Sequence, residues 1–181
     1  MIDMGGEQTS PFGSSTRVNR MGNHFAIELE LPPIREEPDG RTLSALLRLA
    51  KREGALYRFP QPGLAIGVPG SPVVDGTVAG GTSLPLRGLT PHYAIRFGQF
   101  LSLVHAGVRY LHSAAAAVIA DASGEATVTV DPMLRTNLSD GDTVELAKPM
   151  IEGWLGGDSV GWRAMTEPFT SYEAIVITEG S

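Results

Sequence analysis

The chain contains no cysteine. Disulfides and cysteine-ligated zinc are therefore excluded, and the fold rests on packing alone. No run approaches the roughly 18 to 20 apolar residues that a membrane helix needs. The stretch from Met1 to Asn19 is polar and contains Gly and Ser; it has no apolar segment of the kind a secretory signal carries, so synthesis in the cytoplasm is expected. Basic residues are in deficit, with 14 Lys and Arg against 20 Asp and Glu, a net charge of −6 and a pI of about 5.2. That argues against nucleic acid as the main partner, because phosphate binding needs clustered Lys and Arg. Catalytic motifs are missing too. Gly80-Gly81-Thr82-Ser83 and Gly67-Val68-Pro69-Gly70 lack the Gly-Lys-Ser/Thr ending and following helix of a phosphate loop. Ser71 and Ser102 lack the Gly-x-Ser-x-Gly setting of a hydrolase nucleophile.

What the chain does have is β-structure. Its 181 residues suffice for one ordinary domain, or one domain carrying a small insert, and with 42% hydrophobic and 19% charged residues it can bury a core. Phe25, Ile27, Leu29 and Leu31 alternate with His24, Ala26, Glu28 and Glu30, the period of a half-buried strand, which Pro32 and Pro33 end. A helix is predicted over about residues 37–53. Leu43, Leu46, Leu47 and Ala50 form its apolar stripe, Glu36, Glu37 and Asp39 lie at its start, Arg48, Lys51 and Arg52 near its end, and Gly54 caps it. Ala55 to Phe59 reads as a short strand. From Pro60 to Pro91, Pro and Gly are dense, and only short strands are expected, at Leu64–Val68 and Val73–Val78.

From Ala94 to Pro149, short apolar-alternating runs follow one another between turns. Tyr93–Val104 and Val108–His112 are expected to pair across Ala106-Gly107, and Ala114–Ala120 and Glu125–Asp131 across Asp121-Ala122-Ser123-Gly124. Ala114–Ala117 has helical propensity, but its place before Val118, Ile119 and a turn favours strand. A last strand is expected at Thr143–Ala147, and strands at this spacing indicate a small barrel or sandwich. Ile151–Leu155 and Val160–Thr178 read as one or two hairpins around Gly156-Gly157-Asp158, whose simplest pairing is with the first strands.

Candidate single residues are few. His24, His92, His105 and His112 lack metal-ligand spacing and read as surface or hydrogen-bonded histidines. Asp121, Asp131, Asp140 and Asp142 could be paired carboxylates of a glycoside hydrolase, but all fall at turns or strand ends, where Asp is favoured for local hydrogen bonds. Trp154 and Trp162 fit three roles: core or sandwich-edge packing, anchors of an interface, or a surface on which sugar rings stack. Trp162-Arg163, beside the Gly-Gly-Asp turn, would suit a loop reaching a neighbouring subunit.

Three elements together resemble a known family: the strand His24–Leu31 with its double-proline break and the helix ending Leu46-Leu47-Arg48-Leu49-Ala50; the strand Tyr57-Arg58-Phe59-Pro60; and Ala120-Asp121-Ala122-Ser123-Gly124-Glu125-Ala126-Thr127-Val128 with Asp131-Pro132-Met133-Leu134-Arg135 and Asp140-Gly141-Asp142-Thr143-Val144. Over about residues 20–178 the chain resembles the minor tail proteins of long-tailed, non-contractile bacteriophages and gene transfer agents, of which the distal tail, or tail-tip ring, protein is the nearest kind. The resemblance implies a mainly β (α+β) fold: a tail-tube-like β-sandwich with one flanking helix, built from residues 21–60 and 150–181 and split by an inserted β-barrel or sandwich at 61–149. Residues 1–20 would be a flexible arm, either disordered or ordering on a neighbouring subunit. It also implies a virion component at the tail tip: a homo-hexameric ring joining the tail tube protein to hub and fibre proteins, with no catalytic residue or cofactor, no membrane partner, and DNA only as cargo passing through the lumen. Arg17, Arg20, Trp154, Trp162 and Arg163 are the expected interface residues. A carbohydrate- or receptor-binding β-module of a phage tail is the alternative.

Overall fold

The structure, a computed structural model, describes residues 6–9, 15–18, 22–156, 162–164 and 168–180. In chain order its strands are β1 (Gly6–Thr9), β2 (Ser15–Val18), β3 (Ala26–Leu29), β4 (Ile34–Arg35), β5 (Ala55–Arg58), β6 (Gly70–Val74), β7 (Val78–Leu89), β8 (Ala94–Ile95), β9 (Phe100–His105), β10 (Val108–Ala114), β11 (Val118–Ile119), β12 (Ala126–Leu138), β13 (Thr143–Glu145), β14 (Met150–Leu155), β15 (Trp162–Ala164), β16 (Phe169–Tyr172) and β17 (Ile175–Glu179). A single α-helix among the described residues, α1 (Arg41–Glu53), lies between β4 and β5. The protein is mainly β and contains a small closed barrel. It divides into two compact units, Met1–Phe25 with Arg58–Ile151 and Ser181, and Ala26–Tyr57 with Glu152–Gly180.

The first unit holds a six-stranded barrel in the order β10-β12-β7-β6-β13-β9. Its interior is filled by fully buried aliphatic side chains, among them Leu84, Leu86, Leu101, Leu103, Val128 and Val130. The alternation in β12 explains its orientation: Val128 and Val130 point into the core while Thr127 and Thr129 face water. The turn between β9 and β10 is as expected. Ala106 and Gly107 have φ of 50° and 84°, the left-handed geometry that matches the twist of a two-residue hairpin, and Val108 stands opposite His105.

Three expectations for this unit change. Leu64–Val68 is not a strand, and the Pro- and Gly-dense region instead supplies β6 and the twelve-residue β7, which runs through Gly80, Gly81, Pro85 and Gly88. Gly88 is required because backbones approach closely: a Cβ there would lie 2.7 Å from the carbonyl oxygen of Ser71 on β6. The turn at Asp121–Gly124 forms and its arms meet at their ends, where Ala114 stands opposite Val130 and the Asp121 N–H donates to the Glu125 carbonyl at 2.9 Å, but between those points they pair elsewhere. β11 pairs with β8 (Val118 opposite Ile95), and β12 pairs with β7 and β10. Ala115–Ala117 form neither strand nor helix. Within the first twenty residues, the expected arm, β1 and β2 pair antiparallel.

In the second unit the first and last strands meet. A four-stranded sheet has the order β3-β17-β14-β5, with Ile177 opposite Ile27 and Trp154 opposite Thr178. A three-stranded sheet has the order β15-β16-β4. The helix starts later than its polar pattern indicates. Glu37 precedes a proline and is held at φ −117° and ψ 133°, so residues 36–40 form a wide turn before α1. Tyr172 ties the helix start to β16, donating its hydroxyl to the Gly40 carbonyl at 2.6 Å and lying 3.0 Å from Ser44 Oγ. At the other end Lys51 donates to the Leu155 carbonyl at 3.3 Å, and Gly54, at φ 87°, ends the helix.

Candidate interaction surface

The polar residues singled out in the sequence are absorbed by the scaffold. Asp121 accepts the backbone N–H groups of Ser123 and Glu125 at 2.8 and 2.9 Å. Those bonds, the one from Glu125 foremost, hold its carboxyl below the usual range. Asp140 pairs with Arg87 of β7 and accepts the Gly76 N–H at 2.8 Å. The Arg87 guanidinium lowers the Asp140 pKa, and Asp140 and then Asp75 raise that of Arg87. Asp142 accepts the Ser139 N–H and lies 2.7 Å from His105 Nδ1. His105 and His112 stand opposite Val108 and Leu101 respectively, so neighbouring strands do not bring them together. Among the described residues no group of three or more His, Asp or Glu is placed to hold a metal ion.

One polar cluster lies where three barrel strands meet. Ser102 of β9 is fully buried; its hydroxyl donates to Glu145 of β13 at 2.7 Å and accepts the Met150 N–H at 3.0 Å. Arg109 of β10 donates to the same carboxylate at 3.1 Å. Near this seam β6 and β13 share the single residue pair Val73–Thr143. They then diverge around a groove of about 350 Å³ lined by residues 69–73 and 143–148.

The exposed apolar side chains of the second unit form the more informative feature. On β14, Gly153 and Leu155 are buried and Trp154 points outward, 57% exposed. Trp154 is therefore not a core residue; packing at the edge of the sheet and contact with a partner both fit its exposure. Its indole lies beside Gly54 at the end of α1 and beside Gly180, two residues without side chains to cover it. Leu46 and Leu49 on α1 are 56% and 44% exposed, and Leu56 and Tyr57 on the outer strand β5 are 50% and 37% exposed.

Of the other expected interface residues, Trp162 and Arg163 lie on β15, opposite Tyr172 and Ser171, in a different sheet from Trp154. Arg17 lies on β2 in the first unit, opposite Glu7, and Arg20 lies outside the described residues. The sequence reading missed Leu46, Leu49, Leu56 and Tyr57. Leu46, expected on the buried stripe, is exposed; the covered side of the helix carries Leu47 and the half-buried Leu43, Ser44, Ala45, Ala50 and Lys51.

The four-stranded sheet is open at both ends, where β3 and β5 have no further partner among the described residues. The two edges differ in charge: exposed Glu28 and Glu30 lie on and just after β3, whereas exposed Arg58 ends β5, and α1 just before it ends in the neighbouring pair Arg52 and Glu53, both exposed. Neither a family profile nor a curated protein matches the chain.

Proposed function

We propose that this chain is a structural ring subunit of a bacteriophage or gene-transfer-agent tail tip, an adaptor between the tail tube protein and the hub and fibre proteins. The observation that carries this reading is the sheet with two open edges of opposite charge. An edge strand exposes a row of unpaired N–H and C=O groups, a template for another chain. Where the two edges of one sheet differ, the contact they make is head-to-tail, and head-to-tail contacts close into rings when the rotation permits. The acidic edge at β3 and the basic edge at β5 favour pairing of unlike edges over like ones. A discontinuous unit built from both flanks of the chain, with a barrel inserted between, also agrees with the resemblance. The net charge of −6 suits a lumen that repels passing DNA. Six subunits per ring is the number the resemblance suggests.

Light scattering with negative-stain imaging of the purified chain, alone and mixed with its tail tube protein, tests the reading. Closed rings with a central hole support it. Glu28→Lys with Glu30→Lys should abolish them, and adding Arg52→Glu with Arg58→Glu should restore them. A monomer that stays monomeric against the tube protein would overturn it.

The open face of Trp154 favours one second reading, a sugar-binding module, since an exposed indole can stack on a sugar ring. Binding to a glycan array that Trp154→Ala removes, in a chain that forms no ring, would replace the first reading with this one.

A further inference from the structure

A closed barrel joins each strand to its neighbour by a ladder, yet β6 and β13 share only the pair Val73–Thr143. On one side of that pair the bonds are regular. The Val74 N–H donates to the Asp142 carbonyl at 2.9 Å, and the Gly141 N–H to the Val74 carbonyl at 3.0 Å. On the other side the next residue of β6 is Pro72, which has no N–H to give. The register sets Pro72 opposite Val144, so the Val144 carbonyl meets no donor on β6. β6 also carries an extra residue here. Val73 stands opposite Arg87 and Gly70 opposite Leu89, a bulge, and a bulge bends its strand. Proline and bulge together turn β6 away from β13 and open the groove of about 350 Å³. The groove is closed at Val73–Thr143 and runs out toward Pro69 and Lys148.

We infer that this slot receives an extended segment of a partner chain, which adds a short strand between β6 and β13. The backbone selects the occupant. In an antiparallel ladder alternate residues direct their N–H and C=O to the same neighbour, so Val144, and Leu146 after it, turn theirs toward the slot. The rung that Leu146 would make with Gly70 does not form. A peptide backbone supplies the N–H that Pro72 lacks and an acceptor for Leu146; a lipid tail or an apolar small molecule supplies neither. The slot's length suits about four residues, roughly 13 Å of strand. Its lining sets the side chains. Pro69, Pro72, Val144 and Leu146 are buried and apolar, and Gly70 and Ser71 bring no large side chain, so the segment carries small or β-branched apolar residues. Glu145 is already held by Ser102 and Arg109, which leaves exposed Lys148 as the charge at the mouth. A carboxylate follows the apolar residues there. The slot lies in the barrel and uses no edge of the four-stranded sheet, so its test is independent of ring formation.

Random heptapeptides displayed with a free C-terminus are selected against the full chain. The enriched peptides should carry valine, isoleucine or threonine followed by a carboxylate. Hydrogen exchange at the Leu146 amide should slow severalfold in the complex. Methylating the peptide nitrogen that bonds to Val144 should weaken binding by about tenfold, because the lost donor leaves that carbonyl unpaired again. Lys148→Glu should weaken it severalfold. Pro72→Val restores the missing N–H, so it should close the seam, raising the unfolding temperature while binding is lost. Ser71→Trp, a change at an exposed position, fills the slot instead and should lose binding with unfolding unchanged. A selection without enrichment would overturn the inference. So would peptides that bind the Ser71→Trp chain as well as wild type, or whose methylated forms all bind unchanged.

Discussion

His112 of β10 donates its Nδ1–H to the carbonyl oxygen of Pro132 on β12 at 2.8 Å, inside the barrel wall, with the ring almost fully buried. Burial disfavours the imidazolium and pushes its pKa down to about 4, outweighing the backbone bond that opposes it; the nearby Arg135 charge adds to the lowering.

Stability should therefore fall on mild acidification. The folded pKa lies below the unfolded value of about 6.5, so the unfolded chain takes up the proton first as the pH drops. The contribution is complete above pH ~6.5 and declines by about 1.4 kcal/mol per pH unit down to pH ~4, a total of about 3 kcal/mol. Urea midpoints between pH 7.5 and 4.5 check this. His112→Gln keeps a donor but cannot titrate, and its pH dependence should be flatter by about that amount. Equal slopes in the two proteins would refute the assignment.

Gly153→Ala should be severe. A Cβ there would overlap the Thr178 carbonyl oxygen on the paired strand β17, and neither backbone can retreat without breaking the β14–β17 ladder. A loss of about 3 kcal/mol or more is expected. Gly67→Ala is the contrast: it meets nothing, and only its φ of 68° opposes the new side chain, at about 1 kcal/mol. Thermal unfolding of the two variants separates a steric cost from a conformational one.

Ser102→Ala should loosen the barrel where β9, β13 and the start of β14 meet. The buried hydroxyl serves two groups, Glu145 as donor and the Met150 N–H as acceptor. Its removal leaves both short of a partner, at about 1–3 kcal/mol. Ser102→Thr keeps the hydroxyl but adds a methyl group to a position with no exposed surface. It should lose part of the same stability for a packing reason. Denaturant titration gives both numbers.

Trp154→Ala should do the opposite. The indole is more than half exposed, so folding should change by less than about 1 kcal/mol, while any binding at its open face is lost. An unfolded Trp154→Ala chain would show that the indole holds β14 in place rather than facing a partner.

Much of the local structure is legible in the residues. The alternation around Ile27 and Leu29 marks β3, the Leu47 stripe with Gly54 marks α1, Ala106-Gly107 marks the β9–β10 turn, and Val128 and Val130 mark the inner face of β12. Each signal is carried by side chains close in sequence. The surface was much less legible. Trp154 could be core, interface or sugar platform until the burial of Gly153 and Leu155 fixed its direction, and Leu46 looked as buried as Leu47.

Composition and periodicity by themselves determined that this is a cysteine-free, acidic, mainly β protein with a helix near residue 45 and a small barrel or sandwich; the structure decided for the barrel. Hydrophobic spacing reports which face of an element avoids water, and turn residues report where the chain reverses. The tertiary structure alone decided which edges meet. β11 leaves the turn it shares with β12 to pair with β8, and a glycine-rich stretch becomes the twelve-residue strand beside β12. Strand partners are chosen by backbone hydrogen bonds, which look alike at every residue. Which of two adjacent leucines, Leu46 and Leu47, is covered depends on what packs over the helix, and neither outcome is written in a local pattern.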